Sequence, residues 1–194
     1  MRALEKKFQF KYLTKSVFES EEKQSDLLLR GKLALEEGKI AKSAIAMGEM
    51  YRTQIELHYF PKVHVYCIDA QIGCGLFADE KVFSHQYVGE YTGLVRENNR
   101  RYCGGLNNYC YEYPIADDLG RSHVIDATDG SYARFINHSS KPNLKPTYAF
   151  IDGLYHLIFI ALRDIDLGEQ FCYDYGPSYW YIRSAPLPLT ALRK

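Results

Sequence analysis

The chain has 194 residues, with 24 basic and 24 acidic side chains and a formal net charge of +0, so no charge excess directs it to nucleic acid or an anionic membrane. Its length suits one well-packed domain with a smaller appendage. No apolar run approaches the roughly 20 residues of a membrane span, and Met1-Arg2-Ala3-Leu4-Glu5-Lys6-Lys7 leads into no secretion-signal core; the expectation is a soluble, intracellular protein.

Residues 1–58 lack strand-like alternation and are rich in helix formers. Ser25 and Asp26 can cap a helix carrying Leu28, Leu29, Leu33 and Leu35 at three-to-four spacing, with Gly38 as its stop. A second helix is predicted from Ser43 to about Leu57, through Ile45, Met47, Met50 and Ile55. Pro61 marks a boundary. This segment reads as a helical pair packed on the domain that follows, or as an arm that recognises a partner; it is also compatible with a homodimer.

From Val63 the texture changes. Val63 to Ile68 alternates like a strand and leads to a predicted turn at Gly73-Cys74-Gly75. Further short strands are predicted at Tyr87 to Tyr91, His123 to Asp126, Thr147 to Ile151 and Tyr155 to Leu162, with Asp152-Gly153 as a hairpin turn. Asn98 to Gly105 reads as a polar connection. Short strands punctuated by Gly and Asn imply a mostly β fold with a helical N-terminal segment, of α+β class, rather than a doubly wound sheet. The division is 1–58 helical segment, 59–176 main domain and 177–194 tail.

Two residue types stand out. There are 17 Tyr against a single Trp, and Tyr combines a flat apolar face with a hydroxyl that needs a partner when buried. The five cysteines, Cys67, Cys74, Cys103, Cys110 and Cys172, form no CxxC and no disulfide-framework pattern, so free thiols in a reducing compartment are expected.

Four segments in chain order carry a family resemblance. They are Gly73-Cys74-Gly75-Leu76-Phe77-Ala78; Gly89-Glu90-Tyr91-Thr92-Gly93; Ile125-Asp126-Ala127 with Arg134-Phe135-Ile136-Asn137-His138-Ser139 and Pro142-Asn143; and Arg163-Asp164-Ile165 with Gly168-Glu169-Gln170-Phe171-Cys172-Tyr173-Asp174-Tyr175-Gly176. A lone GxG is weak, but RFINHS followed by GExxxYDYG is highly specific. Over residues 63–180 the sequence resembles the SET family of protein lysine methyltransferases. The resemblance implies a β-clip fold of small sheets with a knot-like core, S-adenosylmethionine as cofactor, and methyl transfer to a lysine amine.

The chemistry agrees with the residues present. Methyl transfer from a sulfonium to an amine is an in-line displacement, so alignment matters most. Lysine must react as the free amine although its reference pKa is about 10.4, and a desolvated aromatic channel disfavours the ammonium. By resemblance, Tyr175 is the catalytic tyrosine and Tyr91 another channel tyrosine. Tyr173 stands where the family carries Tyr or Phe, and Tyr there implies chiefly monomethylation, extending at most to dimethylation. Gly73, Cys74 and Gly75 would let backbone approach the cofactor, and Asn137 and His138 match the pair that holds it. Tyr111 resembles a cofactor-contacting tyrosine of the family's insert. Arg134 fits a cofactor contact and a buried ion pair equally, and Trp180 fits stacking on adenine and packing of the tail equally. Asp126 is expected to serve architecture.

The sequence departs from many family members. Ser140 follows NHS where they carry Cys, and the tail Pro177 to Lys194 has no Cys, so no structural zinc is expected. The channel wall that module supplies would come from Tyr179-Trp180-Tyr181 or Pro186-Leu187-Pro188-Leu189. A protein or peptide lysine substrate is implied, a histone tail or another basic protein. Nuclear, cytoplasmic and host-delivered locations are not separated. A non-catalytic SET-like module that binds peptide or cofactor is the competing class.

Overall fold

A computed structural model describes residues 2–70, 72–98, 107–116, 120–180 and 183. Cys103, Tyr181 and Pro186 to Leu189 lie outside these residues, as does most of the polar connection after Asn98. The N-terminal segment holds α1 (Arg2–Phe8), β1 (Val17–Phe18), α2 (Glu21–Glu36) and α3 (Lys42–Glu56). Small strands follow: β2 (Val63–Asp69), β3 (Gly73–Ala78), β4 (Tyr87–Glu90), β5 (Leu94–Glu97), β6 (Cys110–Tyr113) and β7 (His123–Asp126). After a 3-10 turn at Tyr132–Phe135 come β8 (Asn137–His138), β9 (Leu144–Ile151), β10 (Leu154–Ala161), β11 (Cys172–Tyr173) and α4 (Pro177–Trp180).

The strands form four small sheets, in the orders β1-β5-β7-β6, β4-β10-β9, β11-β8 and β2-β3. This is the mostly β architecture expected from the punctuated short strands. The β9–β10 hairpin turns at Asp152-Gly153, where both residues have positive φ (52° and 96°), the requirement of a tight primed turn that matches strand twist. Its long antiparallel ladder runs from Leu154↔Ile151 to Ala161↔Leu144.

The N-terminal segment holds the expected pair of helices, α2 and α3, together with a short strand that the sequence did not suggest. Helix α2 begins five residues before Ser25-Asp26, because Ser20 is its cap: extended at φ −155°, it accepts Lys23 N–H at its hydroxyl, and Glu21 and Glu22 occupy the first turn, where negative charge suits the helix dipole. Asp26 instead pairs with Arg30 one turn on. Short β1 pairs in parallel with β5, Val17↔Leu94, and Thr92 Oγ1 donates to the Leu13 carbonyl at 2.7 Å. A two-residue strand has too little alternation to be read locally. Residues 10–18 are therefore woven into the sheet beside Tyr91.

Helices α2 and α3 lie against the β4-β10-β9 sheet at very short range. A Cβ at Gly31 would fall 1.8 Å from the Gly153 carbonyl oxygen, and one at Gly48 would fall 2.1 Å from that of Phe150. Beneath α3, Tyr51, Ile55, Tyr87, Ala149, Ile151 and Ile158 form one buried cluster. The opposite face of the sheet feeds the main core, where Phe159, Phe171, Leu76 and Ile165 are fully buried, each contributing roughly 1.5–3 kcal/mol. Glu90, 6% exposed, is satisfied there by His156 Nδ1 at 2.8 Å.

Two further expectations are corrected. Gly73-Cys74-Gly75 opens strand β3 rather than forming the turn, which lies just before it; only Gly73 has positive φ, at 79°. Cys67 and Cys74 are joined as a disulfide across the β2–β3 hairpin, so these two are not free thiols. The antiparallel register sets them directly opposite each other, a pairing their sequence separation alone does not reveal. Cys172 is a buried free thiol.

Replacing Gly48 by Ala normally adds about 1 kcal/mol of helix propensity. Here the new methyl meets backbone, and α3 must lift off the sheet. Gly48→Ala is expected to lower stability by roughly 1–3 kcal/mol, read as a fall in the chemical-denaturation midpoint; an unchanged or raised midpoint counts against the close packing.

Candidate active site

Two distant chain segments meet at β8 and β11, which pair in parallel with Cys172↔Asn137 and Tyr173↔His138. Ser139 N–H continues the contact to the Tyr173 carbonyl at 3.0 Å, and Asn143 N–H donates to that of Cys172 at 3.1 Å. The Asn143 side chain also spans the junction, donating to the Gln170 carbonyl and accepting from Cys172 N–H, both at 2.8 Å. The third and fourth sequence motifs are thus locked together by hydrogen bonds, and a cavity of about 560 Å³ opens beside them.

The three predicted phenols, Tyr91, Tyr173 and Tyr175, all line this cavity, together with Asn137, His138, Arg134, Gly73, Cys74 and Trp180. Tyr173 and Tyr175 have ring centroids 4.6 Å apart; Phe159 fills the space behind Tyr173 and Tyr91, at 5.0 and 6.3 Å. Tyr91 donates its hydroxyl to the Tyr109 carbonyl at 2.8 Å, and Tyr175 donates to that of Ile136 at 2.9 Å. The Tyr173 hydroxyl makes no hydrogen bond among the described residues. It is therefore the phenol left available to a ligand.

Gly75 does not line the cavity, yet its lack of a side chain is needed: a Cβ there would lie 2.4 Å from Gln170 Nε2 and 3.1 Å from Asn137 Nδ2. Asn137 in turn donates to the Cys74 carbonyl at 3.3 Å, tying the first motif to the third. Tyr111 is also outside the lining. It packs edge-on against Tyr148 and tilted against Tyr91 and Tyr173, at 6.0–6.3 Å, and supports the phenols from behind. The insert tyrosine that reaches the cavity is Tyr109, two positions earlier, beside Asn108. Only the alternation Tyr109, Tyr111, Tyr113 hinted at it in sequence.

Arg134 makes no ion pair among the described residues. Its guanidinium lies 4.3 Å from the ring centre of Tyr109, 4.7 Å from Phe10 and 4.9 Å from Phe135, while Nε donates to the Ala127 carbonyl at 2.9 Å. Cation–π contact of this kind suits a weakly hydrated guanidinium. The tail closes the other side. Tyr179 sits 4.6 Å from Tyr175, and Trp180 meets His138 edge-on at 5.0 Å; the Trp180 indole N–H is buried without a partner. Arg183 clamps this tail to the insert, stacking on Tyr179 at 4.1 Å and donating to Asn108 Oδ1 at 3.0 Å. Phe135 and Ile136, from the RFINHS segment, also line the cavity, as do Phe8, Ile72 and Asn108, which no motif singles out.

The electrostatics favour neutral groups. Burial pushes the Tyr91, Tyr173 and Tyr175 phenols well above the ordinary tyrosine range, and neighbouring phenols add to it. Burial also lowers the His138 imidazole, against an opposing pull from Asp174. Asp126 lies apart from the cavity chemistry. Burial raises its carboxyl, but hydrogen bonds from Thr128, Asn107 and Arg96 outweigh this and hold it below the usual range; its bond to Arg96 Nη2 is 2.9 Å. It braces β5 against β7.

The fold and this cavity define a class. The SET domain family model matches residues 73–176, just over half of the chain, and the chain belongs to the SET-domain family. It is 37% identical over 140 residues to the histone-lysine N-methyltransferase trithorax of Drosophila virilis, covering 69% of this chain and 4% of that protein. It is 36% identical over 112 residues to the N-lysine methyltransferase KMT5A-A of Danio rerio, covering 54% of this chain and 32% of that protein. The chain thus spans only a small part of these relatives. In structure it resembles ATXR5, solved in complex with histone H3.1 mono-methylated on R26, with a TM-score of 0.66 at 20% identity over 90% of this chain and 85% of that one; this likeness concerns the fold.

A buried phenol whose folded-state pKa is raised holds its proton after the unfolded chain, near 10, has lost it. The stability these phenols contribute is therefore fully present below about pH 10 and declines as pH rises beyond it. The denaturation midpoint is expected to fall between about pH 9 and 11, more steeply in the wild type than in Tyr173→Phe; equal slopes would contradict the burial of that hydroxyl.

Proposed function

We propose that this chain is an S-adenosylmethionine-dependent protein-lysine N-methyltransferase, adding chiefly one methyl group and at most two. The single observation that carries the reading is that Tyr91, Tyr173 and Tyr175 share one cavity with the Asn137-His138 pair. A cavity of this size lies within the range of small-molecule sites. Three features favour a polar, aromatic-bearing cofactor: the unpartnered Trp180 indole N–H, the backbone of Gly73 and Cys74 at the wall, and the space that Gly75 leaves for Gln170 and Asn137. When bound, S-adenosylmethionine supplies an electrophilic methyl group on a sulfonium sulfur.

The protein's task is then to deliver a neutral amine in line. The phenol rings would guide the lysine stem by their faces and exclude water from its nitrogen. Desolvation disfavours the ammonium; for lysine to be half neutral near pH 8 its pKa must fall by about 2 units, or roughly 3 kcal/mol. The proton leaves to solvent before transfer, so no strong base is needed. Tyr175, held by its bond to the Ile136 carbonyl, would orient the nitrogen. The Tyr173 hydroxyl would accept or donate one hydrogen bond to it and occupy the room a second or third methyl needs.

The relatives' names and the histone in the ATXR5 complex favour a histone tail or another basic protein as substrate, and a histone substrate would place the protein in the nucleus. Incubation with methyl-labelled S-adenosylmethionine and mixed histones, followed by mass spectrometry, tests the reading. Label on lysine is expected; intact cofactor binding with no labelled protein would instead identify a binding module. Tyr175→Phe is expected to cut kcat about 100-fold or more with cofactor affinity little changed. Tyr173→Phe should shift the product toward di- and trimethyl-lysine; efficient trimethylation by the wild type would refute the assignment of Tyr173.

A further inference from the structure

His138 does more than line the cavity. Its Nδ1 accepts the backbone N–H of Tyr175 at 3.1 Å. A backbone N–H can only donate, so Nδ1 carries no proton in this arrangement, and the neutral ring holds its proton on Nε2. The other end of the same tyrosine, its hydroxyl, donates to the Ile136 carbonyl. Tyr175 is therefore gripped at backbone and phenol alike by residues 136–138. Beside the imidazole stands an alternative partner: Asp174 Oδ1 is 3.5 Å from Nδ1, exposed, and already accepts Gly176 N–H at 2.9 Å.

We propose that His138 is a positioning residue: its unprotonated Nδ1 fixes the backbone of Tyr175, and a proton on that nitrogen transfers the ring from the Tyr175 N–H to the Asp174 carboxylate, releasing the phenol from its working position. Protonation turns an acceptor into a donor facing another donor. The bond to Tyr175 cannot survive, whereas the bond to Asp174 becomes charge-assisted. The groups facing the ring are Asp174 and Tyr175 from the stretch after β11 and Trp180 from α4; Arg134 and Tyr179 line the same cavity. Asp174 alone among them favours the imidazolium, and burial outweighs it. The acceptor form is accordingly the one present at neutral pH, and the release falls on the acid side. In its catalytic consequence the proposal rests on the methyltransferase reading; in its hydrogen-bond consequence it does not.

The test has two arms. In the first, the chain is labelled with 15N-tyrosine and the Tyr175 amide, assigned by its loss in Tyr175→Phe, is followed by NMR from about pH 5 to 8. Its resonance is expected to titrate with a midpoint below the ordinary histidine value of about 6.5, and to stop titrating in His138→Asn, whose side-chain oxygen offers an acceptor that takes no proton. A wild-type amide that does not titrate, or one that titrates unchanged in His138→Asn, overturns the proposal. The second arm reads the slope of log kcat/KM against pH, whatever the absolute rate. The substrate amine contributes a slope of about one, and His138 raises it to about two below its own midpoint. His138→Asn should return the slope to about one; a persisting steeper limb overturns the proposal. Absence of methyl transfer in the wild type would strike the function above and leave the amide titration to decide this one.

Discussion

The parallel pairing of Asn137-His138 with Cys172-Tyr173 is the contact on which the site depends. Only two residues on each side take part, too few for such a ladder to persist by itself. Its persistence comes from neighbours that tolerate no loose polar group. Asn143, 2% exposed, reaches across the junction and satisfies the backbone on either side of Phe171, and Phe171 and Leu144 are themselves fully buried. A buried polar network of this kind fixes one arrangement because every alternative leaves donors unpaired. Everything chemical follows from that one registration: Tyr173 and Tyr175 arrive beside His138, and the cavity has a floor.

The site works by exclusion rather than by charge. Its phenols are held neutral, its arginine is absorbed by aromatic faces, and its histidine is kept from protonation by burial. Such surroundings suit a reaction whose nucleophile must shed a proton and whose electrophile already carries a positive charge. A carboxylate in the lining would instead stabilise an ammonium. Asp174, 3.5 Å from the His138 ring, is largely exposed to solvent.

How much of this was legible in the sequence depended on how local its cause was. The RFINHS and YDYG residues, and the β9–β10 hairpin, were readable because motif identity and turn chemistry are written in adjacent residues. Strand β1 and the Cys67–Cys74 bridge were not, since each requires knowing which distant residue stands opposite. Helix α2 was misplaced at its start because Ser20 and Ser25 look alike as caps until their φ values are known. Tyr109 was not singled out beside Tyr111 for a similar reason. Both alternate onto one face, and only the position of Arg134 and the tail decides which ring meets the cavity.

Strand β10 separates two interiors. Leu157 and Phe159 face the cluster that supports the phenols, while Ile158 faces the cluster under α3. Because neighbouring side chains on a strand point to opposite faces, a slip of one position exchanges every one of them. A single inserted or deleted codon within Leu154–Ala161 would turn Phe159, the wall behind Tyr91 and Tyr173, outward under the helices. Changes of length in this protein should accordingly be confined by selection to the connections between strands, and β10 should drift only by exchange of one side chain for another.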